Sequence, residues 1–186
     1  LNLLLRRRHD AERVLFDLLV RDRLDERQQP AGGVGRGPHE HRPQVGVVGE
    51  ARERLGPLTA LANCAASCAR GSLVDTTPDI WAELMNTNAR GPFFTMQAFT
   101  KQALAAKVPA SIVNIVSMVI HCGQSYLAPY SASKAALANM TKNTAQAHRF
   151  DRIRCNAIAC GWMDTPGEDA TQRRYHGAGD DWLEIL

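Results

Sequence analysis

The chain has 186 residues, of which 45% are hydrophobic and 22% are charged, so it is long enough to bury the core of one domain. Its 22 basic and 19 acidic residues leave a formal net charge of +3, which argues against nucleic acid as a partner. No apolar run reaches the roughly 18 residues of a membrane span, so we expect no membrane partner. The five cysteines, an odd number without a secretory signal, predict reduced thiols in a cytoplasmic protein.

Residues 1–50 are atypical in composition. Arginine runs that begin at Arg6 and Arg21 precede a stretch, residues 28–43, that is dense in Gly, Pro, Arg and His. Before that stretch, residues 14–20 have the spacing of a short helix. Composition of this kind predicts a poorly ordered segment, so we place a boundary at residue 50. The chain begins at Leu rather than Met, which indicates a fragment.

Residues 51–186 alternate strands with long helices. A helix ends over residues 51–55, and strands are predicted at 58–63, 111–117 and 153–159. Long helices are predicted at 79–106, with a break near Gly91-Pro92, and at 129–149. This alternation favours parallel βαβ units with right-handed crossovers. The predicted fold class is therefore α/β, with a doubly wound parallel sheet.

Tyr130 and Lys134 stand four residues apart near the start of the second long helix, so their side chains project from the same face. A free tyrosine ionises at about pH 10 and carries protons poorly at neutral pH. An ammonium about 4 Å away would lower the pKa of a phenol by about 3, before desolvation offsets part of the effect. The pair predicts a tyrosine general acid/base, with a solvated helix face as the alternative for an isolated Tyr-x-x-x-Lys.

Ser117 ends the predicted strand before that helix. The carboxyl ends of strands are where open α/β sheets bind their ligands. The Ser117 hydroxyl is therefore placed to donate a hydrogen bond to a substrate oxygen.

Other residues form an ordered series with these three. Asn63-Cys64-Ala65-Ala66 follows the first strand, and Asn88 lies in the first long helix. Residues 156–161, at the end of the last strand, and Thr165 complete the series. The series resembles the short-chain dehydrogenase/reductase family over about residues 50–165. The resemblance implies that residues 51–186 are a partial Rossmann-like domain, incomplete at both ends.

The resemblance also implies a role for each member of the catalytic set. Tyr130 would be the acid/base, and Lys134 would lower its pKa. Ser117 would orient the substrate oxygen, and Asn88 would support a proton-relay water. The implied reaction is oxidation of an alcohol or reduction of a ketone with NAD or NADP, and the choice between the two cofactors stays open.

A second set of residues would hold that cofactor, again by resemblance. Tyr130 and Lys134 would lie at the nicotinamide ribose, Gly161 near the nicotinamide and Thr165 on its carboxamide. The adenosine side would be lined by Asn63, Ala65 and Ala66. No metal site is predicted, because His39 and His41 have no Cys or Asp set at ligand spacing.

The family's opening strand and Gly-rich phosphate turn are not matched. Residues 32–37 are rich in glycine but follow no predicted strand, and we interpret them as a flexible segment. We therefore expect the strands before residue 58 to be absent or badly formed. We also expect this chain to bind the dinucleotide at least two to three orders of magnitude more weakly, because two or three charge-assisted hydrogen bonds of roughly 1.5–3 kcal/mol each are lost.

Substrate and assembly are less closely defined. The polar segment after Thr165 would form a substrate lid, which suggests a small, sugar-like substrate, and Trp162 is a candidate for contact with it. The full-length relative is expected to be a homo-oligomer. Cys64, Cys68, Cys155 and Cys160 do not have zinc-ligand spacing and are expected to be buried thiols. The alternative to an enzyme is a non-catalytic remnant or scaffold module that has kept the catalytic residues by descent.

Overall fold

The computed structural model describes residues 14–15 and 44–184 of the chain. Within them the chain forms four strands and five α-helices, with one π-helical and one 3-10 turn. The strands are β1 Val14–Leu15, β2 Ala60–Asn63, β3 Ala110–Ser117 and β4 Ile153–Cys160. The helices are α1 Gln44–Leu55, α2 Pro78–Met85, α3 Gly91–Ala106, α4 Ala128–Ala147 and α5 Pro166–His176.

The four strands form one parallel sheet in the order β1-β2-β3-β4. The register places Asn63 beside Asn114, and Asn114 beside Ala157. The carboxyl ends of the strands therefore point toward one edge of the sheet. The strands predicted at 58–63, 111–117 and 153–159 are confirmed, within three residues at their ends.

Val14 and Leu15 form β1, so the helix predicted over residues 14–20 is wrong at these two positions. Residues 16–20 lie outside the described part of the chain. Both strand residues pair in parallel with β2, at Ala60 and Leu61. Hydrogen bonding to a neighbouring strand outweighs a short helical spacing, because local propensity is a weak preference. Within the described residues, β1 is the strand before residue 58, and it has only two residues.

Residues 78–106 are helical throughout, as predicted for 79–106. The break expected near Gly91-Pro92 is instead a π-helical turn, Asn86–Arg90, after which the helix continues as α3. Pro92 has no N–H to donate to the carbonyl of Asn88. The wider π turn accommodates that missing donor without ending the helix.

The hydrophobic core lies on one face of the sheet. Leu61, Ile112 and Cys155 point to this face from adjacent strands, in line with the alternation of side chains along each strand. Helices α1, α3 and α4 cover it with these buried residues: Val48, Ala51, Met96, Phe99, Ala103 and Leu137. On the opposite face Ile158 of β4 is 54% exposed. The described helices thus supply one covering layer of a Rossmann-like sheet.

The fold class is confirmed as α/β with a parallel, partial Rossmann-like sheet. The predicted boundary at residue 50 falls inside α1, which begins at Gln44. The poor order predicted for residues 1–50 stays a prediction for 1–13 and 16–43, which lie outside the described residues. Among the described residues, no helix combines the length and apolar character needed to cross a membrane.

Candidate active site

Ser117, Tyr130 and Lys134 meet at the carboxyl edge of the sheet. Ser117 is the last residue of β3, and its Oγ accepts a hydrogen bond from the N–H of Val119 at 3.4 Å, which caps the following 3-10 turn. Pro129 occupies the first turn of α4, where its fixed φ favours helix initiation. Tyr130 and Lys134 follow on successive turns of α4 and face the end of β3.

The Tyr130 hydroxyl lies between two polar neighbours. The Ser117 hydroxyl donates a hydrogen bond to it, and it in turn bonds to the thiol of Cys68. Burial raises the pKa of Tyr130 to about 12, and the nearby thiols of Cys68 and Cys160 act in the same direction. The Ser117 bond opposes this rise but does not cancel it.

Lys134 is not among the groups that shift the pKa of Tyr130 in this structure, and its predicted lowering of that pKa stays a prediction. Its Nζ donates to the carbonyl oxygen of Ile115 at 2.8 Å and lies 5.8 Å from the centroid of the Tyr130 ring. The ammonium is therefore held beside the aromatic face and bonded to β3 rather than to the phenol oxygen. Only 3% of Lys134 is exposed, and this burial lowers its own pKa.

Three thiols surround the tyrosine and the lysine. Cys64 and Cys68 follow β2 and Cys160 ends β4, and all three oppose the lowering of the Lys134 pKa. Cys64 and Cys68 are exposed, so the prediction of buried thiols is wrong for them; Cys155 is buried as predicted, and Cys160 is partly buried. The sequence analysis missed this cluster because its members are separated along the chain and meet only when the strand ends converge.

Asn88 is fully buried and its side chain is engaged with the loop after β2. Its Oδ1 accepts from the Ser67 N–H at 2.8 Å, and its Nδ2 donates to the Ser67 carbonyl at 2.9 Å and to Ser133 Oγ at 3.0 Å. The Asn88 amide therefore fixes the loop that carries Cys68 and joins it to α4. Because the side chain is engaged, the predicted support of a relay water would have to come from the backbone carbonyl of Asn88. Residue 92 is proline, so it has no N–H to donate to that carbonyl.

Asn63 likewise points into the protein rather than toward a ligand. Its Nδ2 donates to Asn114 Oδ1 at 2.7 Å, and Asn114 Nδ2 donates to Thr141 Oγ1 at 2.8 Å. All three residues are buried. This network ties β2 to β3 and α4, so a contact of Asn63 with a cofactor would have to come from its backbone.

The predicted cofactor residues Ala65, Ala66 and Gly161 are all small. Ala65, Ala66 and Gly161 present no side chain larger than a methyl group, and Ala66 and Gly161 are exposed. A Cβ on Gly161 would meet only the Met118 side chain, at 3.9 Å, so free space adjoins it. A surface of small residues next to a buried ammonium can admit a flat ring and its ribose hydroxyls.

Thr165 lies at the start of α5 rather than free at this edge. Its Oγ1 accepts from the Glu168 N–H at 3.1 Å and caps the helix. The residue is exposed, and its hydroxyl proton can still be donated to a ligand.

Helix α5 is attached to the rest of the site through aromatic and cationic side chains. The Arg70 guanidinium lies 4.8 Å from the Tyr126 ring centroid and 4.0 Å from that of Tyr175. The His176 ring lies 5.8 Å from that of Tyr126 and 5.9 Å from that of Trp162. We call these five residues the aromatic cluster; apart from Trp162, the sequence analysis did not connect them.

Among the described residues, no group of three or more His, Cys, Asp or Glu side chains is placed to hold a metal ion. His39 and His41 lie outside the described part of the chain.

Comparison with known proteins agrees with this architecture. A family model described as short chain dehydrogenase matches residues 40–176. Carbonyl reductase (NADPH) 2 of Sus scrofa is 35% identical over 113 residues, which are 59% of this chain and 46% of that protein. The chain spans about half the length of the curated relatives it matches.

Two solved structures illustrate the likeness of the fold. An actinorhodin polyketide ketoreductase with NADPH has a TM-score of 0.67 and 29% identity, over 75% of this chain and 52% of that one. A gluconate 5-dehydrogenase from Burkholderia cenocepacia, in complex with NADP and tartrate, has a TM-score of 0.67 and 28% identity, over 77% and 55%. Because the family match runs from the segment before α1 to the end of α5, the chain belongs to the short-chain dehydrogenase/reductase family.

Proposed function

We propose that the chain carries the reacting half of an NAD- or NADP-dependent oxidoreductase that oxidises a secondary alcohol or reduces a ketone. The observation that carries the proposal is the grouping of Ser117, Tyr130 and Lys134 at the carboxyl edge of the sheet, with the Ser117 hydroxyl bonded to that of Tyr130. The relatives named above are reductases and dehydrogenases, and two of the solved ones hold NADPH or NADP.

Ser117 and Tyr130 would bind the reacting oxygen of the substrate. A carbonyl or alcohol oxygen would replace the present partners of the two hydroxyls, Tyr130 for Ser117 and Cys68 for Tyr130, and would then accept from both. Tyr130 then donates a proton to the developing alkoxide during reduction, or accepts one during oxidation. Its raised pKa favours the protonated phenol and hence the role of acid.

The nicotinamide dinucleotide, when bound, supplies or accepts the hydride. Lys134 is the residue that would hold its ribose, and an acceptor there would compete with the Ile115 carbonyl for the ammonium. Gly161 leaves room for the nicotinamide ring, and Thr165 can donate to its carboxamide. Ala65 and Ala66 would lie along the adenosine side.

For the substrate we propose a small, sugar-like molecule. Helix α5 exposes Arg173, Arg174 and His176, and a gluconate 5-dehydrogenase is among the structural relatives. We also propose that the full-length protein is a homo-oligomer and is located in the cytoplasm.

A scaffold module is the second candidate. Its support is the unmatched Gly-rich phosphate turn, which in the family would receive the pyrophosphate of the cofactor. A scaffold would bind no nicotinamide dinucleotide, whereas the enzyme must bind one.

The discriminating experiment measures turnover by the full chain with NADH and NADPH against sugars, sugar acids and small ketones. We expect Tyr130→Phe to reduce kcat by about 100-fold or more, since general acid catalysis contributes at least that much. Lys142→Met, an exposed change on the same helix, is the matched control. A Tyr130→Phe variant with the turnover of the wild type would favour the scaffold.

A further inference from the structure

Arg70 is half-buried and lies between two aromatic rings. Its guanidinium carbon is 4.0 Å from the centroid of the Tyr175 ring in α5 and 4.8 Å from that of Tyr126, in the loop before α4. Such contacts satisfy the positive charge in part, but a ring face accepts no more than a weak hydrogen bond.

The N–H donors of this guanidinium have no partner among the described residues. No carboxylate, carbonyl or hydroxyl there forms a hydrogen bond or ion pair with Arg70. The acidic residues of the nearby helix α5 are bonded to other side chains. In α5, Asp169 is bonded to Arg173 and Trp182, and Glu168 accepts from Gln172. The guanidinium nitrogens are not among the buried unpartnered polar atoms of the described residues, so water reaches the donor fork and a ligand oxygen can replace that water.

Arg70 is also close to the reacting residues along the chain. Cys68, two residues before it, bonds to the Tyr130 hydroxyl. Gly71, directly after it, donates its N–H to the Tyr126 carbonyl at 3.0 Å and accepts from the Ala128 N–H at 3.1 Å. Cys68 and Gly71 therefore attach this stretch of chain to Tyr130 and to the segment that leads into α4, which places Arg70 two residues from a neighbour of the reacting tyrosine.

We propose that Arg70 binds a carboxylate of the substrate, so that the molecule acted on at Tyr130 is a hydroxy or oxo acid. The planar fork of a guanidinium matches the two oxygens of a carboxylate, and the flanking rings hold it in one orientation. This inference rests on the proposed function for the end of the substrate that reacts at Tyr130. It adds that the other end of the substrate is an anion. Through Tyr175, Arg70 also contacts α5, the helix that would cover such a substrate as a lid.

The test uses two acids, each paired with its neutral polyol: D-gluconate with D-glucitol and L-tartrate with L-threitol. Binding to the full chain is measured by ligand-observed nuclear magnetic resonance without cofactor, at one low salt concentration. We expect at least one acid to bind about tenfold or more tighter than its polyol. Arg70→Ala should remove that preference, and Arg70→Lys, which keeps the charge but not the fork, should recover only part of it.

Arg174→Ala is the matched control, because Arg174 also contacts Tyr175, with its guanidinium carbon 5.0 Å from the ring centroid, but is exposed. It should keep the preference for the acid. Hydrogen exchange of α5 in Arg70→Ala reports separately whether the lid has detached. The proposal is overturned if the wild type prefers neither acid to its polyol, or if Arg70→Ala keeps the preference.

Inorganic phosphate supplies a further arm. Phosphate that displaces the acid from the wild type, and binds more tightly than either acid, would overturn the carboxylate assignment in favour of a phosphate group. NADPH binding is titrated in a separate experiment, so failure of the proposed function and failure of this inference remain distinguishable.

Discussion

At the residue scale, the pKa of Tyr130 depends on its burial and on the side chains of Cys68, Ser117 and Cys160. The Ser117 hydroxyl stabilises the ionised phenol, whereas burial and the Cys68 thiol stabilise the neutral one, and the latter pair prevails. The spacing of Ser117, Tyr130 and Lys134 could be predicted from the sequence, because four residues along a helix place two side chains on one face. The thiol neighbour could not, since Cys68 and Tyr130 are 62 positions apart in the sequence.

Replacing Cys68 with alanine is expected to lower the pKa of Tyr130 below its present value of about 12. The variant removes an acceptor that favours the protonated phenol and a sulfur whose ionised form would repel the phenolate. Ultraviolet difference spectra of tyrosinate, with Tyr130→Phe as the blank, measure the change. Cys122→Ala, which removes an exposed thiol bonded to the Met118 carbonyl, should leave this pKa where it is. An unchanged or higher pKa in Cys68→Ala would contradict the assignment.

The raised pKa of Tyr130 also predicts how stability changes in alkaline solution. Between pH 10.0 and about 12 the folded protein keeps the phenol proton, while the unfolded chain loses it. This contribution to the free energy of unfolding is therefore complete below pH 10.0 and declines as the pH rises toward 12. Its size is at most about 2 kcal/mol.

Urea unfolding of wild type and Tyr130→Phe across that range tests the point. The decline in stability should be shallower in Tyr130→Phe, while the contribution of Cys155, whose pKa burial raises to about 11, stays in both proteins. Parallel pH dependences for the two proteins would show that the tyrosine is not desolvated.

At the scale of elements, the helix over residues 78–106 holds β2 and its loop through two side-chain amides. Asn88 binds both backbone groups of Ser67, and Gln102 binds both of Leu58. In each case a side-chain amide pairs with a backbone N–H and a backbone carbonyl that would otherwise need partners from a turn or a strand. The helix itself follows from its cap and apolar spacing, but nothing local marks Gln102 as a partner of Leu58, 44 residues away.

Gln102→Leu is expected to destabilise the fold by about 2–4 kcal/mol, because it leaves a buried N–H and a buried carbonyl without partners. The Leu58 N–H donates to Gln102 Oε1 at 3.1 Å, and Gln102 Nε2 donates to the Leu58 carbonyl at 2.6 Å. Denaturation in urea measures the loss. Gln97→Leu, an exposed change in the same helix, is the control, and equal stability of the two variants would contradict the prediction.

At the scale of the whole molecule, the order of strands and helices after residue 50 was predictable because each buried strand is an apolar run between helix caps. The π turn and β1 were not, since one depends on a single missing N–H at Pro92 and the other on pairing across the sheet. The parallel arrangement then brings the ends of β2, β3 and β4 together, which assembles the site from segments distant in sequence.

The most direct test of the central claim is a fluorescence titration of the full chain with NADPH and NADH, compared with Lys134→Met. The account predicts weak but saturable binding to the wild type that weakens by roughly a further tenfold or more in Lys134→Met, because the ammonium would be the charged donor to the ribose. Lys142→Met should bind as the wild type does, and circular dichroism should show both variants folded. Equal affinity in Lys134→Met and wild type, or no saturable binding to the wild type, would contradict the claim that this edge of the sheet holds a nicotinamide cofactor.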